Sequence, residues 1–518
     1  MPEFLCAFDI GTSCVKGGIF SPDGRLVAAR SKEYRVIQPK PSWAEQSIQE
    51  MWQNQCEVSL ELINQSGIDP NDIAAVAVSS QRATFVPLDN HGDPLMNFIG
   101  WQDKRSIKQC QDIERQVGIQ KYYQISGLPI EPTASVSKML WLKENRPDLF
   151  DRTAQFASTQ NVHLRQLGIE NPPCDLPNAA YMGLLDVDKL EWSKLLLDQL
   201  GIPIEKMPPL SPSGKVVGAV SKEASSATGL AAGTPVVTAG GDLQCAGVGV
   251  GVTEPGVVGV GIGSGADVVI FLDEPIRHPD LALNCLPHAM SGAWEMEGLC
   301  LASGAAYKWF RDNFAAQEKE TASASGLDTY TILNQAAEAA PPGSNGMIFL
   351  PTLIGAGAPH WNPMASGIVI GLTLSTDKKD FARAIMEGVC FEIRWILEAV
   401  EMLGRTHDKL HIYGGAAKSR LWNQIAADIY GFPVCRPEVE EAGLVGAAIC
   451  AGVGTGIFKN ARAGARSMIR IVEEYAPRPN LHVLYSEIFE VYKKTYQTFS
   501  NAGIFERLAS ISDQSQRL

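Results

Sequence analysis

The chain has 518 residues, 45% of them apolar, so it can bury several cores and should divide into two domains or more. With 44 basic against 57 acidic residues the formal charge is −13, and a broad positive surface able to condense a nucleic-acid backbone is not expected. The start, MPEFLCAFDIG, has no basic segment ahead of its apolar stretch, and no later run reaches the roughly 18 apolar residues that span a membrane. The expected location is therefore the cytoplasm, with neither a membrane nor a nucleic acid as partner. Eleven cysteines without a CxxC pair read as reduced thiols, and eight dispersed histidines without HExxH give no support for a structural metal site.

The first elements read as a strand meander. Residues 4–8 are apolar, a glycine-rich bend follows, residues 17–20 are apolar again, and Ser21-Pro22-Asp23-Gly24 makes a turn. A second strand over residues 73–78 ends in Ser79, Ser80, Gln81 and Arg82, where polar side chains would emerge at a sheet edge. Helical spacing over residues 139–145 and the alternation of strands with helices predict α/β layers. Residues 235–239 read as a buried strand running into Gly240-Gly241-Asp242. Residues 256–272 then repeat the opening theme, two apolar strands around a Gly263-Ser264-Gly265 bend, which suggests two structurally related domains meeting near residue 252. Phe381, Ile385, Val389, Ile393, Ile396 and Val400 recur at helical spacing and predict a long core helix. The polar residues 512–517 read as a frayed terminus.

Three short motifs carry candidate chemistry. Asp9-Ile10-Gly11-Thr12-Ser13, followed by Lys16, sets a carboxylate, two hydroxyls and flexible amides around one concavity, a device that holds phosphate oxygens but also an ordinary turn. Asp9 would order a Mg²⁺-bound water there, and Lys16 would offset phosphate charge. Gly263-Ser264-Gly265 offers similar hydroxyl and amide chemistry from the other half of the chain. His411-Ile412-Tyr413-Gly414-Gly415-Ala416-Ala417-Lys418-Ser419 ends a strand in paired glycines and opens a helix over residues 419–430. A flat base or a phosphate would fit against that backbone, although a strand-to-helix turn needs glycine for structural reasons as well.

The order and spacing of these motifs resemble the FGGY family of carbohydrate kinases, within the sugar kinase, Hsp70 and actin superfamily, over nearly the whole chain. Other similar stretches are IGWQDKR at residues 99–105, SVSKMLWLKEN at 135–145, LASGAAYKWF at 301–310, FLPTLIGAGAPHWNPMASG at 349–367 and the glycine-alanine run at 443–448. The resemblance implies an α/β fold of two related actin-like (ribonuclease H-like) domains with a catalytic cleft between them. Residues 1–252 would hold the sugar and the catalytic base, and residues 253–518 the nucleotide. It implies ATP and Mg²⁺ as cofactors and a small-molecule sugar as partner, and leaves a homodimer open. Asp242, in GGDLQ, falls on the family's catalytic aspartate and would also meet the metal, through water as Asp9 would. With an ordinary pKa near 3.9 it would be ionised at pH 7. Gly11, Thr12, Ser13 and Lys16, then Gly263, Ser264 and Gly265, then Gly414, Gly415, Ala416 and Asn423, match the two phosphate motifs and the adenosine motif.

On the sugar side, the resemblance points to Gln81, Arg82, Trp101, Asp103, Asp242 and Gln244. Arg82 brings a fork of donors for hydroxyls, Trp101 an apolar face and Asp103 a hydroxyl acceptor. Glycerol kinases share the Gln-Arg pair but carry glutamate where Ala83 stands and tyrosine where Thr133 stands. Xylulokinases commonly show Met-His in place of Arg82-Ala83. A pocket lacking the glutamate and the tyrosine has room for an acceptor larger than glycerol, so a pentulose such as D-xylulose is the leading expectation. Alternatives are a kinase of another polyol or ketose (glycerol or ribulose) and a non-catalytic sugar- or nucleotide-binding relative.

Overall fold

The computed structural model describes residues 3–515. The opening apolar run forms β1 (Phe4–Ile10), bends through residues 11–13, and returns as β2 (Cys14–Phe20) and then β3 (Leu26–Glu33). Helix α1 (Ile48–Ser66) is N-capped by the Ser47 hydroxyl and stopped by left-handed Gly67. It covers β2 and β3 and leads to β4 (Ile73–Ser80), which lies parallel to β1. After an insertion that contains α2 (Ser135–Asn145), β5 (Val216–Ala219) and β6 (Pro235–Gly241) complete a sheet of order β5-β6-β4-β1-β2-β3. Helix α3 (Asp242–Gly249) starts where β6 stops.

The second sheet repeats this plan. Strands β7 (Val257–Ile262), β8 (Ala266–Leu272), β9 (Asn284–Pro287) and β10 (Trp294–Cys300) form an antiparallel group. Helices α4 (Gly304–Phe314), α5 (Thr329–Ala339) and α6 (Lys378–Glu401) follow, then β11 (Lys409–Tyr413), α7 (Arg420–Tyr430), β12 (Val434–Pro437), α8 (Ala442–Gly454) and β13 (Ile471–Tyr475). The order is β9-β10-β8-β7-β11-β12-β13. In each sheet an antiparallel meander is extended by two parallel strands and closed by an antiparallel one, as β1–β6 and β7–β13 both show. Mixed sheets covered by helices bury both faces, which explains why their strands read as nearly continuous apolar runs. The fold is thus α/β with two related halves.

Helices α3 and α8 cross between the halves. A side chain at Gly249 would collide with the Ala442 carbonyl, and one at Gly446 with the Cys245 carbonyl, so these glycines let the two backbones touch. Although α8 comes after β12 in sequence, it buries Leu444, Val445, Ala448 and Ile449 in one cluster with Leu5, Ala7, Ala75 and Val237 of the first sheet. The predicted core helix is α6, opened by a capping box between Asp377 and Asp380. Ile385, Val389, Ile393, Ile396 and Val400 are fully buried and Phe381 partly so. Burial extends well beyond that stripe, because Arg383 and Glu387 pair at 2.8 Å inside the core and Tyr485 closes the pair.

Of residues 512–517, expected to fray, residues 512–515 belong to helix α9 (Ile504–Ser515), and the other two lie outside the described residues. The eleven cysteines are unpaired. Among the described residues no helix is long and apolar enough to cross a membrane.

Candidate active site

Asp242 sits at the junction of β6 and α3, where the chain leaves the sheet and its side chain projects into the space between the halves. It is 36% exposed, and its Oδ1 accepts from the Leu243 amide at 2.9 Å and faces Arg82 Nε at 3.6 Å. Burial raises its pKa and the Arg82 charge opposes the rise, so its carboxylate is more basic than the ordinary value expected from sequence. Gly241 has a packing reason: a Cβ there would collide with the Arg82 side chain and with Gln244 Oε1.

Arg82 is the centre of an interlobe network. It is 8% exposed, stacks its guanidinium 4.0 Å over the Tyr181 ring, and donates through Nη1 to Glu297 Oε1. Glu297, 1% exposed on β10 of the second sheet, also accepts from Gln244 Nε2 at 3.0 Å and from the Tyr181 hydroxyl at 3.0 Å. Asn284 Nδ2 donates to that hydroxyl at 3.0 Å. Gln244 is therefore a brace for Glu297, and neither Tyr181 nor Glu297 was legible beforehand.

The remaining sugar-side residues divide. Trp101 is 38% exposed and its indole donates to Thr12 Oγ1 at 2.9 Å, tying this loop to the first bend. Gln81 is buried and donates to Gln46 Oε1 at 2.8 Å, while Gln46 holds the Thr12 carbonyl at 2.6 Å. Asp103 corrects the expectation of a hydroxyl acceptor. It is fully buried and accepts from the Ala44 amide at 2.6 Å and from Arg105 Nε and Nη2, each at 2.8 Å, so its oxygens brace the loop.

Ala83, Gly100 and Thr133 mark three loops that meet on one buried lysine. Lys138 Nζ donates to the Ala83, Gly100 and Thr133 carbonyls at 3.3, 3.2 and 2.8 Å. Burial pulls its pKa down to about 7, against the pull of Asp103 and Glu131. Between that value and its ordinary 10.5 the unfolded chain holds a proton that the folded chain has released, so stability rises with pH across this window. One such proton contributes up to about 1.4 kcal/mol per pH unit. Lys138→Met should lower stability at every pH and flatten this rise. Urea midpoints at pH 7 and pH 9 check it, and equal slopes in both proteins would contradict it.

The first bend joins these loops through Thr12. Asp9 accepts from Ser79 Oγ at 3.2 Å, and burial followed by the charge of Asp242 pushes its pKa up to about 7, with Lys16 opposing. Gly11 is closed by its amide on the Cys14 carbonyl at 3.0 Å, Thr12 is engaged as above, and Ser13 is exposed. Lys16, expected to offset phosphate charge, pairs with Glu441 at 2.6 Å, just ahead of α8.

The second and third motifs share one cavity of about 490 Å³, lined by Gly263, Ser264, Lys308, Tyr330, Asn334, Gly415, Ala416 and Trp422, among others. The bend carbonyls of Gly263 and Ser264 cap the start of α4, accepting from the Gly304 and Ala305 amides at 3.0 and 2.9 Å. Gly265 packs behind the bend, where a Cβ would lie 2.8 Å from the Cys300 carbonyl oxygen. Gly414 stands at φ 85°, a conformation that favours glycine, and supports the turn from behind. Asn423 corrects another expectation: it is fully buried and its amide donates to the Ala417 carbonyl at 2.9 Å, which locks the turn above α7. Sequence reasoning missed Tyr330 and Asn334, which α5 delivers. Its N-cap, Asp328, was the readable signal.

Two related α/β halves, with Asp242 at the end of the last parallel strand of the first, give the architecture of the actin-like ATPase fold. The chain belongs to the FGGY family of carbohydrate kinases: residues 4–249 match the family's N-terminal domain and residues 262–455 its C-terminal domain. It is 31% identical to the autoinducer-2 kinase of Escherichia coli (strain K12), over 95% of this chain and 94% of that protein. It is 30% identical to the xylulose kinase of Bacillus subtilis (strain 168), over 95% and 97%. The crystal structure of gluconate kinase from Lactobacillus acidophilus matches with a TM-score of 0.88 at 26% identity, covering 96% of this chain and 98% of that one.

Proposed function

We propose that the protein transfers the γ-phosphoryl group of ATP to a hydroxyl of a pentulose, with D-xylulose as the leading acceptor and Asp242 as catalytic base. The observation that supports this reading is Asp242 itself, 36% exposed where β6 ends, beside Arg82 and electrostatically coupled to Asp9 at the first bend. As the acceptor oxygen bonds to the γ-phosphorus and the bond to the ADP oxygen breaks, the hydroxyl proton passes to the Asp242 carboxylate. Alignment does most of the work, since such transfer needs little covalent help. The cavity at Ser264, Ala416 and Trp422 would take the adenosine, with Lys308 in its lining.

Magnesium fits as a companion of the nucleotide. Among the described residues no group of three or more His, Cys, Asp or Glu is poised to hold a metal alone, yet Asp9 and Asp242 repel each other, and Asp9 is raised to about 7. A divalent cation carried by the phosphates, with its waters on Asp9 and Asp242, would relieve that repulsion and neutralise phosphate charge.

Acceptor choice would rest on Ala83 and Thr133, small residues whose carbonyls Lys138 holds. Glycerol should be a poor acceptor, with kcat/KM about 100-fold or more below the best pentulose, because it leaves buried donors without partners. The near-equal identity to the autoinducer-2 kinase favours autoinducer-2 as a second acceptor to test. Coupled ADP release with D-xylulose, D-ribulose, L-ribulose, autoinducer-2 and glycerol decides between them, and glycerol proving the best acceptor would sink the pentulose reading.

A further inference from the structure

We infer that the acceptor pocket selects uncharged sugars and polyols and rejects sugar acids, and that Glu297 sets this selectivity by neutralising Arg82 from the opposite lobe. The inference rests on the kinase reading above. The gluconate kinase of Lactobacillus acidophilus shares this fold, so the fold does not exclude an acidic acceptor. Charge does. A carboxylate on the acceptor needs a cation whose charge is not already answered, and Arg82, the cation beside Asp242, is committed. Its Nη1 donates to Glu297, its Nε faces Asp242 at 3.6 Å, and its flat face covers the Tyr181 ring at 4.0 Å.

Glu297 cannot easily turn away. Besides Arg82 it accepts from Gln244 and Tyr181, each at 3.0 Å, and Asn284 fixes the Tyr181 hydroxyl at 3.0 Å. Asp267 on β8 adds a further carboxyl whose electrostatic neighbours are Glu297, Asp242 and Arg82. An acid group entering here meets the Asp242 carboxylate and one guanidinium already paired with Glu297, a repulsive arrangement that discriminates as effectively as an attractive one. An uncharged acceptor meets no such barrier. Arg82 Nη2 has no protein partner among the described residues and can donate to a hydroxyl oxygen, while Asp242 accepts a hydroxyl proton.

The test compares the best neutral acceptor with the aldonate of equal carbon number, in the wild type and in Glu297→Gln, which keeps shape and removes charge. In the wild type the acid should fall at least about 100-fold below the neutral sugar in kcat/KM, and Glu297→Gln should narrow that ratio by about tenfold or more as Arg82 loses its counter-charge. An acid within about tenfold of the neutral sugar in the wild type, or an unchanged ratio in a folded Glu297→Gln protein, overturns the inference. Should that variant fail to fold, competition in the wild type serves. D-gluconate and D-xylonate should not inhibit at concentrations where the neutral acceptor saturates, and inhibition there overturns the inference. No turnover with any acceptor, neutral or acidic, overturns the kinase reading itself and this inference with it.

Discussion

Asp242→Asn lowers sugar-dependent turnover by about 10³-fold, within the usual range for loss of a general base, and leaves the fold and nucleotide binding in place. The substitution is isosteric and keeps an oxygen to accept from the Leu243 amide, so α3 still starts where it does. Its removal of charge does not strain the fold, because Arg82 keeps Glu297 as its partner. What disappears is the proton acceptor and the charge that orients the attacking oxygen. Initial rates, melting temperature and ADP affinity measured on one preparation check all three parts. Near-normal turnover would remove Asp242 from the catalytic role.

Arg82→Ala should reduce kcat/KM for the sugar by about 100-fold or more and leave ATP affinity unchanged, since the cavity proposed for adenosine belongs to the second half. The structure adds a consequence for stability. Glu297 would be left buried without its cation, and breaking such a pair from one side costs about 3–5 kcal/mol. The double variant Arg82→Ala/Glu297→Gln should regain much of that stability and none of the activity, which separates the structural role from the functional one. Denaturant unfolding and kcat/KM of both variants form the check. A stable, active Arg82→Ala protein would show that neither role is real.

The parts of the molecule legible in sequence are those whose cause is local. The strand, bend, strand pattern of β1 and β2 and its echo in β7 and β8 are written in apolar runs around glycine, and Asp242 is marked by the strand that ends beside it. The parts that were not legible depend on pairing across the cleft. Glu295 and Glu297 alternate along β10 as charges on a solvent face would, yet both are buried, and Glu297 meets a partner 215 positions away. Lys16 and Glu441 meet across 425 positions. Asp103, in a loop, and Asn423, in the first turn of α7, have residue types suited to ligand contacts, but their hydrogen bonds close onto nearby Arg105 and Ala417, which residue type alone does not reveal. The single apolar stripe of α6 understated its burial for a related reason: Arg383 and Glu387 cancel each other inside the core and so look like surface residues in the sequence.

The central claim is phosphoryl transfer from ATP to a sugar hydroxyl, and ³¹P NMR of the protein with Mg-ATP and D-xylulose or another member of the pentulose panel tests it most directly. The account predicts that a phosphomonoester signal and ADP appear together, in equal amounts, only when sugar is present. ADP with inorganic phosphate whether or not sugar is added, or unchanged ATP with every acceptor of the panel, would contradict it.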